Sequence, residues 1–165
     1  MRLILLFTLS VVFFLAPGVV NAELKITIGA VEDVILLPWG VKLPARIDTG
    51  AAKSSLDARE LKVRDKVVEF KLPQRYGGLQ VRLPILEWRH VRSTDGRERR
   101  PVVELEICLG SRRIRTQVNL ADRSMVKYPL ILGRNFLREE FVVDVKQRKT
   151  TPPSCPIAPW PERAP

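Results

Sequence analysis

The stretch Val41-Lys42-Leu43-Pro44-Ala45-Arg46-Ile47-Asp48-Thr49-Gly50-Ala51 reads as a strand that stops on a carboxylate. Val41, Leu43, Ala45 and Ile47 alternate with Lys42, Pro44 and Arg46, which is the two-residue period of a half-buried strand. Asp48 falls where this run ends, and Gly50 permits a tight turn after it. A carboxylate at a strand end, followed by a hydroxyl and a glycine, can be held by backbone N–H groups and shown to solvent from a rigid frame. Taken alone, Asp-Thr-Gly also occurs where an Asp merely starts a turn, so its meaning depends on what surrounds it.

The same alternation spreads outward. It recurs at Leu24/Ile26/Ile28, Val68/Phe70/Leu72, Val81/Leu83/Ile85 and Val103/Leu105/Ile107/Leu109. At Ile114/Thr116/Val118 the residues Arg113, Arg115 and Gln117 take the wet side. Gly110-Ser111 and Asp95-Gly96 read as hairpin turns. Tyr128-Pro129-Leu130-Ile131-Leu132 is an apolar strand that ends at Gly133 and opens the one expected helix, Arg134 to Glu140, before Phe141-Val142-Val143 returns to strand. The fold class is all-β, a small closed or orthogonally packed barrel with one short helix.

Composition bounds the rest. The 165 residues carry 28 Lys+Arg against 18 Asp+Glu, a net charge of +10 that favours anionic partners. Two cysteines and one histidine exclude a disulfide scaffold, a zinc finger and any site needing two imidazoles. Residues 1–22 are expected to be a cleaved signal peptide: Arg2, an apolar run from Leu3 to Ala16, Pro17-Gly18, then Val20-Asn21-Ala22. That run is shorter than the roughly 20 residues needed to cross a bilayer. A periplasmic or secreted protein without stable membrane insertion is expected, and nucleic acid is not an expected partner. Residues 23–148 form the domain. Residues 149–165, with prolines at 152, 153, 156, 159, 161 and 165, are expected to be a mobile tail that Trp160 could tack onto the barrel.

Ile47-Asp48-Thr49-Gly50-Ala51 and Ile131-Leu132-Gly133-Arg134-Asn135-Phe136-Leu137 together resemble the two hallmark segments of retroviral-type aspartic proteases, the retropepsins. The likeness is closer to a bacterial retropepsin-like family formerly labelled ATP-dependent zinc proteases, through the segments Leu36 to Ala58, Val91 to Gly110 and Tyr128 to Val145. The resemblance implies an acid-protease barrel in which Ile131, Leu132, Gly133 and Arg134 back the Asp-Thr-Gly loop. It implies an aspartic endopeptidase with Asp48 as the catalytic carboxylate, Thr49 and Gly50 shaping its loop, and Ala51 behind them. It further implies association with glutamate ligases of the ATP-grasp class and cleavage directed at glutamate-rich peptides. The zinc label does not suit this chain: His90 is its only histidine, no His-Glu-x-x-His is present, and no Gly-x-x-x-x-Gly-Lys loop would hold ATP. No metal or cofactor is expected, and His90 reads as a surface hairpin residue.

Aspartic chemistry needs two carboxylates sharing one proton. With a single Asp-Thr-Gly, the active site would form between two copies, which makes a homodimer a condition of the reading. Asp33, Asp57, Asp65, Asp95, Asp122 and Asp144 lack the motif and default to turns, caps or surface positions. In viral retropepsins an acid two positions past the glycine pairs with the Arg of Gly-Arg-Asn, but here that position is Ala52, which leaves the partner of Arg134 open. The flap candidate is Arg92-Ser93-Thr94-Asp95-Gly96-Arg97. Arg89, Arg92, Arg97, Arg99 and Arg100 around it either select acidic side chains or simply keep an edge hairpin solvated. Ser54 and Ser55 either touch substrate or serve their strand. Cys108 and Cys155 are open to a barrel-to-tail staple, an intermolecular bridge or two free thiols. The rival to an enzyme is a retropepsin-fold binding or accessory module for an acidic peptide or envelope ligand.

Overall fold

Leu43, Ala45 and Ile47 are buried while Lys42 and Arg46 are exposed, so the alternation at the quoted stretch is that of a true strand. The computed structural model describes residues 24–93 and 96–156. Its elements run β1 (Ile26–Gly29), β2 (Val31–Leu37), β3 (Val41–Ile47), β4 (Ser54–Asp57), β5 (Arg59–Arg64), β6 (Val67–Lys71) and β7 (Gln80–Pro84). They continue with β8 (Glu87–Ser93), β9 (Gly96–Leu109), β10 (Arg112–Ala121), β11 (Leu130–Leu132), α1 (Arg134–Leu137) and β12 (Phe141–Asp144).

The order β10-β4-β11-β3-β2-β9 closes on itself through the β9–β10 pair, giving a six-strand barrel. Closure removes the free edges that an open sheet would present. The first half of β9 leaves the barrel and pairs with β8 as a long hairpin. β5, β6 and β7 form a separate three-stranded sheet whose Val68, Phe70, Leu72 and Val81 join the barrel core around Leu43, Leu56, Leu105, Ile107, Leu120 and Leu130. β1 and β12 pair in parallel beside them. The all-β class and the small closed barrel expected from the strand pattern are the architecture found. The helix is shorter than expected: α1 ends at Leu137, and 138–140 are a turn.

Two elements escaped the pattern for physical reasons. β2 carries Glu32, fully buried in mid-strand, which breaks its apolar alternation. β5 is exposed or half-exposed throughout and so has no apolar face to read.

The tail departs from expectation more sharply. From Lys149 to Cys155 it is stitched down rather than mobile. The Lys149 N–H donates to the Val31 carbonyl at 2.7 Å and the Ser154 N–H to that of Gly110 at 2.8 Å. The buried Glu32 carboxylate accepts from the Gly29 N–H (2.6 Å), from the Thr150 N–H (3.3 Å) and hydroxyl (3.0 Å), and from the Thr151 N–H (3.0 Å). A buried carboxylate needs such donors, and this segment supplies most of them. Cys155 is disulfide-bonded to Cys108 on β9, so of the three thiol arrangements the intramolecular staple is the one formed. Prolines 152 and 153 only forgo N–H groups that these contacts do not use. The expected signal segment, 1–22, and the tail's end, including Trp160, lie outside the described residues. Among the described residues no helix is long and apolar enough to cross a membrane.

Candidate active site

β3 delivers Asp48 at its end, and the chain turns at once. The Asp48 Oδ1 accepts hydrogen bonds from the N–H groups of Gly50 and Ala51, both at 3.1 Å, while its own N–H donates to the Leu132 carbonyl at 3.0 Å. The carboxylate is thus half-buried and oriented by backbone alone, which suits a charged group that must meet substrate.

The second segment buttresses this loop. β11 lies parallel to β3 with Leu132 opposite Ile47, so Gly133 arrives beside the Asp48 turn. A Cβ on Gly133 would lie 2.7 Å from the Lys53 carbonyl carbon and 2.9 Å from the Ala51 oxygen, so only glycine fits. The Arg134 N–H donates to the Ala51 carbonyl at 2.9 Å. Its guanidinium Nη1 donates to the carbonyls of Thr49 (3.1 Å) and Gly50 (2.6 Å). The open question about Arg134 is thereby answered: with no acid at position 52, it grips the loop's own carbonyls. Leu132 is buried in the core and Ile131 half-buried, as backing residues would be. Thr49 is exposed, and its part in these bonds is its carbonyl rather than its hydroxyl.

Asn135 is the hub that sequence reasoning passed over. Its Oδ1 accepts from the Ser54 N–H (2.8 Å) and hydroxyl (3.1 Å), and its Nδ2 donates to the Thr116 hydroxyl (2.6 Å) and the Gln117 carbonyl (2.8 Å). The Gly133 N–H in turn donates to Ser54 Oγ at 3.1 Å. Ser54 and Ser55 are buried, which assigns both to the strand rather than to substrate contact. The signal for Asn135 was its place directly after Gly133-Arg134. Arg123 had no such signal. It is partly buried, and that burial pulls its guanidinium below its ordinary value against the opposing pull of Asp57. Asp48, Arg46 and Arg100 lie within its electrostatic reach, so the field at the carboxylate has a cationic side.

Among the described residues, Asp33, Asp57, Asp122 and Asp144 are occupied. Asp33 pairs with Lys42 and Lys149, Asp144 caps a turn, and Asp122 accepts from the Ser124 N–H. Asp65 sits in a turn with positive φ. Asp57 corrects the surface expectation: it is fully buried, binding Arg59 at 2.8 Å and the Arg123 N–H at 2.8 Å.

The hairpin exists as read, with Arg92 opposite Arg97 and Ser93 opposite Gly96. Gly96 adopts φ 120°, a value that favours glycine. Thr94 and Asp95 lie outside the described residues, as do the side chains of Arg92, Ser93 and Arg97. Of the remaining arginines, Arg89 pairs with Glu87 and Arg100 with Glu98, both at 2.7 Å, and Arg99 lies over the Trp88 ring. His90 is exposed on β8, as expected.

With this geometry the family can be tested directly. The RimB-like family model, described as the retropepsin-like aspartic endopeptidase RimB, matches residues 27–154. The chain belongs to the RimB-like family. Its match runs through the Asp48 loop, the Gly133 segment and the stitched tail to one residue short of Cys155. Among solved structures, this chain is similar to Lpg0085 from Legionella pneumophila, a protein of unknown function, at 31% identity and TM-score 0.66 over 76% of this chain and 97% of that one. A simian foamy virus protease aligns at 13% identity and TM-score 0.40 over 66% of this chain and 91% of that one. A relative from Parasynechococcus marenigrum (strain WH8102), named a probable alpha-L-glutamate ligase, is 33% identical over 132 residues. That alignment takes in 73% of this chain but only 28% of the relative's length.

Proposed function

We propose that this RimB-like chain is an exported aspartic endopeptidase that acts as a homodimer on acidic, glutamate-rich peptides. The observation that carries the reading is the Asp48 carboxylate, half-buried at a strand end, fixed by two N–H groups and gripped from behind by Gly133 and Arg134. Asp48, ionised, would take a proton from water as that water attacks the scissile carbonyl carbon. Asp48 of a second copy, protonated, would donate to the carbonyl oxygen. Collapse of the tetrahedral species breaks the C–N bond: the leaving amine takes the proton that the first Asp48 gained from water, and a hydroxyl proton of the tetrahedral carbon returns to the second Asp48. The dimer is supported by the single Asp-Thr-Gly and by the other engagements of Asp33, Asp57, Asp122 and Asp144. Export is supported by the apolar amino-terminal stretch and by a disulfide of the kind oxidising compartments permit. The acidic substrate is supported by the net charge of +10 and by the name of the Parasynechococcus marenigrum relative, a probable alpha-L-glutamate ligase.

The test is mass-spectrometric cleavage mapping of a mixed peptide library, Glu-rich members included, between about pH 3 and 8, with Asp48→Asn in parallel and the oligomeric state measured on the same samples. Cleavage by a dimer that vanishes in Asp48→Asn is the expected result. A folded protein that cuts nothing at any pH would refute the enzyme. A second reading has its own support: the likeness to part of a longer ligase favours an accessory module working beside a glutamate ligase, and complex formation by Asp48→Asn without any cleavage by wild type would favour it.

A further inference from the structure

A cavity of about 430 Å³ opens on the barrel wall, and no residue of the Asp48 loop lines it. Val31 and Pro44 line it, Arg75-Tyr76 and Lys127-Tyr128 come from two different connections, and Arg148-Lys149 come from the stitched tail. Every charged residue lining it is basic. Lys149 is engaged by Asp33 at 3.1 Å, but among the described residues no carboxylate pairs with Arg75, Lys127 or Arg148. Arg75 lies over the Tyr76 ring at 5.0 Å and Lys127 over that of Tyr128 at 5.6 Å, contacts that orient a cation without neutralising it. This is the reverse of the β8–β9 hairpin, where Arg89 and Arg100 are already matched by glutamates.

The third wall is built rather than incidental. The peptide joining Gln147 to Arg148 sits directly on Gly29, where a Cβ would come within 2.5 Å of Gln147 and 2.7 Å of the Arg148 nitrogen. The Ala30 N–H donates to the Gln147 carbonyl and the Lys149 N–H to that of Val31, with Lys149 at a positive φ of 53°. Beyond it come the Glu32 latch and the disulfide. Pro44 and Arg46 share the outward face of β3 that leads to Asp48. Four residues of strand separate Pro44 from Asp48, about 13 Å, which is also the span of about four extended peptide residues.

Resting on the acidic-peptide reading above, we propose that this cavity is an anion subsite holding a carboxylate side chain about four residues from the scissile bond, with exposed Arg46 along the way. The site would set which acidic peptide is taken and in what register, while Asp48 does the chemistry.

The experiment separates binding from cleavage. Fluorescein-labelled hexaglutamate is titrated by anisotropy into the disulfide-bonded Asp48→Asn protein, alone and with Lys127→Gln/Arg148→Gln added. The control carries Lys62→Gln/Arg64→Gln, the same charge change on exposed β5. The cavity pair should weaken binding by about tenfold or more and flatten its salt dependence, and the control by less than about twofold. Equal weakening in both, unchanged binding in the cavity pair, or no binding at all overturns the subsite. Binding of phosphatidylglycerol vesicles that is lost in the cavity pair and not competed by hexaglutamate also overturns it, in favour of a membrane surface. Library cleavage by wild type with no acidic preference about four residues from the cut sinks the subsite and spares the peptidase. Cavity-dependent binding with no cleavage does the opposite.

Discussion

Gly133→Ala isolates the contact between the two hallmark segments. Gly133 has φ −91°, a conformation open to any residue, so the substitution adds no backbone strain and tests space alone. The new Cβ would meet the Lys53 carbonyl carbon at 2.7 Å, its oxygen at 2.8 Å and the Ala51 oxygen at 2.9 Å. All three are backbone atoms, so relief requires moving the 51–53 strand entry by about 0.5–0.7 Å. Overpacking of this kind costs about 1–3 kcal/mol, or about 2–4 °C in melting temperature per kcal/mol for a chain of this size. The displaced piece is the one whose Ala51 N–H holds Asp48 and whose Ala51 carbonyl holds Arg134. Peptidase activity should therefore fall by about a hundredfold, well beyond the loss of folded protein at the assay temperature. Calorimetric melting and cleavage of a single reporter peptide measure the two effects. A variant as stable and as active as wild type would refute the claim that this close approach positions the carboxylate.

Other perturbations follow from the same structure. Cys155→Ser opens a loop spanning 47 residues of sequence and should cost up to about 4 kcal/mol on the chain-entropy scale. Chemical denaturation measures the cost, and a loss below about 1 kcal/mol would mean that the hydrogen bonds to Glu32, Val31 and Gly110 hold the tail without the disulfide. Glu32→Gln turns one acceptor into a donor, set either against the Thr151 N–H or against those of Gly29 and Thr150, and should cost about 1–3 kcal/mol, with earlier proteolysis after Lys149 than in wild type. Asp122 is held below its ordinary 3.8 by the Ser124 hydroxyl first and the Ser124 N–H second. Because its folded value lies below its unfolded one, its stabilisation is present above the unfolded pKa and fades as pH falls through the folded value. Carbon-detected NMR titration against Ser124→Ala should show the lowering shrink but not vanish, since the backbone N–H at 124 and Arg59 remain. Arg134→Met should loosen the Asp48 loop and depress kcat with little change in the dimer dissociation constant, since its observed partners are Thr49 and Gly50 of its own chain. A dimer weakened by about tenfold, 1.4 kcal/mol, in sedimentation equilibrium would place Arg134 across the interface instead.

What could be read in the sequence was whatever leaves a period or a rare juxtaposition. The alternation of Val41 to Ile47 and of Val103 to Leu109 marks strands because one face of each is core. Gly133-Arg134 was legible because glycine is placed where backbones must touch, and Asp48-Thr49-Gly50 because a carboxylate at a strand end is followed at once by a turn. The stitched tail was not legible. Its proline content argued for mobility, whereas its anchor is a carboxylate buried in β2, 118 residues away from Thr150. A polar residue deep in a strand breaks the pattern that would reveal the strand, and the donors that satisfy it carry no periodicity. Arg123 was illegible for a similar reason, since its link to Asp57 and its half-burial arise from tertiary packing and not from any motif.

The tail and the Asp48 loop rest on one physical device, a carboxylate fixed by nearby N–H groups. At Asp48 the donors lie within three residues, the group stays half-exposed, and rigidity serves chemistry. At Glu32 the donors include those of a distant segment, the group is fully buried, and the segment it holds presents Arg148 to solvent. Arg134 gives the first device a further property. By gripping carbonyls of its own loop it braces that loop from within one chain. A dimer would then bring together two preformed half-sites rather than fold them into being. Its interface need only set the distance between two carboxylates, which leaves substrate register to surfaces such as the basic cavity that each copy already carries whole.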